Sequence, residues 1–294
     1  MSLSPAEDNA RHGAGAPSDS PIREAASWLI VAAAVLLAAR RWLSARNSLA
    51  AEAALILGFY ATYEAARGLV AGARLPAIQR AKEIVGLERT LHLFFEPQVQ
   101  RLARDIPGLL GTLGVAYLTL HLAATGGLLL WLYLRRRAAF PLVRTTLIIA
   151  SAASLIGFLA FPTAPPRIAA TGLSDTVSQD AINLNHGLVS SLYNPYAAVP
   201  SMHAGYALIV GAALTRYGCR TLVRVAGALY PPFVLTVIVA TGNHFFFDAA
   251  TGALVVVASA AIALPLTRAR PPAEILTLAP PRALDSGTTL ERAA

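Results

Sequence analysis

Three short stretches of the chain hold residue types that can act together on a phosphate. Residues 194–206, Asn-Pro-Tyr-Ala-Ala-Val-Pro-Ser-Met-His-Ala-Gly-Tyr, close a polar loop on Pro200 and open an apolar segment on Ser201, with His203 in its first turn. Serine is a good helix N-cap, and the first backbone N–H groups of a helix have no partner within it. This corner therefore offers an anion a hydroxyl, free donors and an imidazole. Residues 161–167, Phe-Pro-Thr-Ala-Pro-Pro-Arg, end another apolar segment on Arg167, whose planar fork of donors suits phosphate oxygens. Residues 241–248, Thr-Gly-Asn-His-Phe-Phe-Phe-Asp, put His244 and Asp248 four apart. With a last helix starting near Asn243, both lie on one face. A carboxylate on one ring nitrogen then fixes the tautomer and makes the other nitrogen a better nucleophile. His203 can serve as the acid that protonates the leaving oxygen. The chemistry expected is phosphoryl transfer through a phosphohistidine.

Those corners need a scaffold that brings them to one place, and composition says what kind. The 294 residues are 55% hydrophobic and only 14% charged, with a mean hydropathy of +0.55. Soluble domains carry nearer a quarter charged residues, so most of this chain belongs in lipid. The expectation is an all-α, polytopic transmembrane bundle of six to seven spans. They fall at 27–39, 48–71, 109–134, 142–161, 202–217, 222–240 and 247–266, the first of them short enough to lie at the interface instead. Pro231 and Pro232 predict a kink in the sixth. The segment 74–107 mixes charged with apolar residues and reads as amphipathic helix at the membrane surface. Residues 1–24 and 268–294, rich in proline and polar residues, read as disordered tails around one domain at 25–267, its motif-bearing core at 142–267.

The net charge of +8 is a matter of topology. Arg40, Arg41 and Arg46, then Arg135 to Arg137 with Arg144, then Arg216, Arg220 and Arg224, then Arg268 and Arg270 all fall on one side in a seven-span count, and that side is expected to be cytoplasmic. Nucleic-acid binding is a poor alternative. The three motifs come together on the opposite, extracytoplasmic face, at the plasma membrane. The lone Cys219 excludes an internal disulfide framework and a cysteine metal cluster. Other polar residues have bland readings: within spans, Glu64 and Arg67 as a self-neutralised pair three apart and Tyr117 and His121 as a packed pair four apart, and in the 74–107 segment His92 as a surface histidine. The 162–200 loop carries Asp175, Asp180, Asn183, Asn185 and His186, which could serve an acceptor.

Taken together, Pro-Ser-Met-His at 200–203 and His-x-x-x-Asp at 244–248 resemble the second and third motifs of the type 2 phosphatidic acid phosphatase (PAP2) superfamily. The 161–167, 194–203 and 241–244 stretches resemble more closely its inositol phosphorylceramide synthase-like (Aur1-like) branch. The resemblance implies a membrane-embedded phosphatase or phosphotransferase needing no metal or other cofactor. Its nucleophile would be His244, its orienting partner Asp248, its acid and base His203, and its phosphate ligands Arg167 and Ser201. Two departures stand out: Ala160 and Ile238 occupy positions where the superfamily carries cations. Asn243 would then supply a donor instead. The implied substrate is a lipid phosphate, drawn from the membrane lipids around it, with water or a polyol such as inositol as acceptor. Two other classes stay open: a transporter or non-catalytic protein that binds an anion or lipid without turnover, and a zinc site made from the two histidines and the aspartate.

Overall fold

The computed structural model describes residues 49–69, 74–169, 172–174 and 194–268. Among them are eight helices and no strand: α1 (Leu49–Leu69), α2 (Arg74–Thr90), α3 (Glu96–Arg104), α4 (Leu109–Arg135), α5 (Phe140–Ala160), α6 (Met202–Tyr217), α7 (Thr221–Ala240) and α8 (Phe246–Thr267). The expected first segment at 27–39, the tails at 1–24 and 269–294, and Asp175, Asp180, Asn183, Asn185 and His186 lie outside the described residues.

Four helices, α4, α5, α7 and α8, are long and apolar enough to cross a membrane, with mean hydropathies of 1.6 to 2.1 over their best windows. The chain is an integral membrane protein. The count of four, where sequence suggests six or seven, has a physical reason in α1 and α6. The first carries Glu52, Glu64 and Arg67, and the second is only 16 residues long. Neither depends on lipid alone. Glu52 pairs with Arg144 of α5 at 2.6 Å, and α6 is the central helix, packed against α4, α5, α7 and α8. Its buried Tyr206, Ile209, Val210 and Ala213 join the main apolar core with Leu132, Phe140, Leu155 and Phe158. Helix α7 runs on through Pro231 and Pro232.

The two ends of the bundle are set by contacts. Arg136, just past α4, donates from Nε to the carbonyl of Tyr217 at the end of α6 at 3.2 Å, so both helices finish at a basic end. The Glu52–Arg144 pair places the starts of α1 and α5 together. At the far end, 74–107 forms the two helices α2 and α3 joined by a turn in which exposed His92 takes a φ of 57°. One stripe of α2, Ala77, Ala81, Ile84, Val85 and Glu88, is buried. It packs on Ala164, Val199 and Phe245, one residue from each motif stretch or its flank. The segment expected to lie on the membrane surface thus covers the place where the motifs meet.

Candidate functional site

Backbone hydrogen bonds tie the three corners to one another. Thr163 donates to the carbonyl of Tyr196 at 2.8 Å and accepts from Ala198 at 3.2 Å, joining the first stretch to the second. Arg167 N–H donates to Gly242 at 3.0 Å, joining first to third, and Ser201 N–H donates to Asp248 at 2.9 Å, joining second to third. Two glycines make this possible. Gly242, with φ of 69°, lets the chain leave α7 in a left-handed turn and aim Asn243 and His244 inward. At Gly252 a Cβ would lie 2.1 Å from the Ser201 carbonyl oxygen, so α8 and the start of α6 approach as only glycine allows.

The side chains follow. Ser201 is the N-cap of α6, its Oγ accepting from Ala204 N–H at 3.4 Å, and it is fully buried. The His203 ring stacks on Tyr117 with centroids 4.3 Å apart, meets His121 edge-on at 4.4 Å, and lies 5.7 Å from the His244 ring. His244 Nδ1 sits 3.2 Å from Asp248 Oδ2. The expected pair is present, but by a different route. Helix α8 starts at Phe246 rather than near Asn243, so His244 precedes it. Asp248, at the third helical position, reaches back across the N-cap, where the same Oδ2 also accepts from Phe245 N–H at 2.9 Å. With Nδ1 engaged, Nε2 is the ring nitrogen left for the cavity that His244 lines.

Asn243, expected to donate to a phosphate, is held at both ends of its amide. Its Oδ1 accepts from Arg167 Nε at 2.9 Å, and its Nδ2 donates to Thr241 Oγ1 at 2.8 Å. It therefore fixes the Arg167 guanidinium. His203, His244 and Asn243 line the cavity; Arg167, Ser201 and Asp248 do not line it and meet it through neighbours that do, Arg167 through Asn243 and Asp248 through His244.

The opposite wall is where sequence reading fell short. Helix α1 contributes Tyr60, Tyr63, Glu64 and Arg67, and α4 contributes Tyr117 and His121. Glu64 and Arg67 are paired as expected, at 3.0 Å, yet they face this cavity. Tyr117 and His121, read as simple packing, line it too. Asn194 Nδ2 donates to the Arg67 carbonyl at 2.9 Å, tying α1 to the loop before Ser201.

Three further polar residues come from the 74–107 segment, whose charges sequence assigns to the membrane surface. Glu96 Oε1 accepts from Phe246 N–H at 3.1 Å and Glu88 Oε1 from Phe247 N–H at 2.8 Å. Gln100 Nε2 donates to the Ala240 carbonyl at 3.1 Å. The three thereby hold the end of α7 and the start of α8. Burial, the neighbouring Glu96 and the Asp248 charge raise the Glu88 carboxyl to about 9. The available signal was the pattern: Glu88 extends the apolar stripe of Ala77, Ala81 and Ile84, where an acid has no place unless it has partners.

A family model described as the PAP2 superfamily matches residues 82–262, from within α2 to within α8. No curated protein and no solved structure matches the chain.

Proposed function

The chain belongs to the PAP2 superfamily, and from that premise we propose that it transfers the phosphoryl group of a lipid-linked phosphate through a phosphohistidine on His244. Membership suggests phosphatase-type activity on lipid phosphates. The observation that carries the finer reading is the His244–Asp248 contact at 3.2 Å with the His203 ring 5.7 Å away in the same cavity.

The steps use this chain's own groups. His244 Nε2 attacks phosphorus while Asp248 holds the Nδ1 proton and offsets the charge growing on the ring. The bond from phosphorus to the leaving oxygen breaks, and His203 gives that oxygen its proton. Water then loses a proton to His203 and attacks the phosphohistidine, releasing phosphate and restoring both rings. Arg167, held beside the cavity by Asn243, lends positive charge toward the phosphoryl oxygens from outside the lining, as does the N-terminus of α6 at Ser201. A zinc reading would need three grouped ligands, and among the described residues no such group comes together.

A second reading puts an alcohol in place of water, as in the Aur1-like branch. The polar wall of Tyr60, Tyr63, Glu64 and Arg67 favours it, since a hydrolase has little use for such a wall while a polyol such as inositol would be held by it. In either reading α1 and α6 complete six spans. The site opens at the extracytoplasmic face of the plasma membrane, and the arginine-rich end is cytoplasmic. The test is product analysis with a panel of lipid phosphates, wild type against His244→Ala, with inositol present or absent and chelator throughout. Free phosphate from wild type alone supports a lipid phosphatase, and a new phospho-head-group product supports a transferase. No His244-dependent product would favour an anion- or lipid-binding protein without turnover.

A further inference from the structure

Two acids that the reaction does not use grip the helix that follows its nucleophile. The N–H groups of Phe245, Phe246 and Phe247 open α8 in succession, and each is received by a different carboxyl: Asp248 from α8 itself, Glu96 from α3 and Glu88 from α2. Glu88 and Glu96 are 3% and 0% exposed. Their second oxygens, both Oε2, are buried without a donor, and the two carboxyls stand side by side because they take adjacent N–H groups of one turn. As three anions this cluster would be costly, since a helix N-terminus answers with only about half a unit of positive charge. One proton between Glu88 and Glu96 removes a charge and gives both stranded oxygens a partner.

We propose that Glu88 and Glu96 share one proton and form an acid–carboxylate clamp on the first turn of α8 that fixes the position of His244. They act as positioning residues, through backbone atoms next to the nucleophile. The titratable groups that face one another here are Glu88 from α2, Glu96 from α3, Asp248 from α8 and, against Asp248, the His244 ring. When alkali removes the shared proton, all three are anions, the clamp loosens and His244 loses its register. Because Glu88 keeps its proton to about 9, the clamp is closed at neutral pH.

The inference rests on the phosphoryl-transfer reading only where turnover is measured, so its first test avoids turnover. Infrared spectra of the full chain in lipid nanodiscs at neutral pH read the carbonyl stretch of a protonated carboxylic acid. One such band is expected to vanish in Glu88→Gln and equally in Glu96→Gln, because either amide can donate to the remaining carboxylate. A band lost in only one variant, or in neither, overturns the shared proton. In turnover, Glu88→Gln should keep kcat at neutral pH and move the alkaline limb of kcat/KM upward. Glu88→Ala should lower kcat on the order of a hundredfold with KM little changed. An alkaline limb that stays in place in Glu88→Gln overturns the positioning role. Absence of His244-dependent turnover in wild type would instead count against the reaction and leave the infrared result standing.

Discussion

The two ends of the helical bundle are both polar, and they are built in opposite ways. At the arginine-rich end the cations are mostly exposed and reach the nearest carbonyl or ring: Arg136 to the Tyr217 carbonyl, Arg224 to the Thr215 carbonyl at 3.2 Å, Arg137 over the Tyr133 ring at 3.7 Å. Such contacts trade one solvated arrangement for another and fix little. At the motif end acids and bases are mixed, so the net charge is smaller, but there is more commitment. His244, Asp248, Asn243, Ser201, Glu88 and Glu96 are all buried, and each has a named hydrogen-bond partner in another turn, loop or helix. The density of charge therefore does not locate the site. The burial of polar groups that must satisfy one another does, because each missing partner would cost far more there than at a wet surface.

That contrast can be broken by substitution, beginning where the effect is largest. His244→Ala should lower turnover of a lipid phosphate roughly 10⁴-fold or more, measured as initial rate on purified protein with unchanged helical content. Asp248→Asn should follow at on the order of 10³-fold, because the amide can still cap α8 but no longer offsets the charge on the His244 ring. Gly252→Val should lower stability by about 2 kcal/mol or more by driving a side chain into the Ser201 carbonyl. Gly126→Ala, with open space around it, should leave thermal stability level or slightly raised. A smaller effect is expected in the pH dependence of unfolding. Glu88 binds its proton more tightly folded, at about 9, than its ordinary value of 4.5. Its contribution is fully present below that ordinary value and is lost as pH rises through about 9, and Glu88→Gln should flatten the slope. Smallest of all, Arg136→Ala at the basic end should change turnover by less than about threefold.

Much of this was legible in the chain because the decisive features are local. Pro200 and Ser201 announce the start of α6, the four-residue spacing of His244 and Asp248 announces their contact, and alternating apolar segments announce that the three corners share a face. What stayed hidden depends on packing between distant segments. The start of α8 was placed too early because Asp248 holds His244 from across the N-cap, with an acid from another helix receiving the next N–H. Tyr117 and His121 became cavity wall because α6 sets His203 against them, which no spacing within α4 can reveal. Helices α2 and α3 looked like a surface segment since charged residues are interleaved with apolar ones in nearly equal number. Their buried stripe faces the motifs rather than lipid.

The central claim is the phosphohistidine, and rapid quenching of wild-type protein with a lipid phosphate radiolabelled at phosphorus tests it most directly. The account predicts label on the protein that survives alkali, is lost in acid, maps to the peptide bearing His244 and is absent in His244→Ala. Turnover by wild type with no such label, or label that persists in His244→Ala, would contradict it.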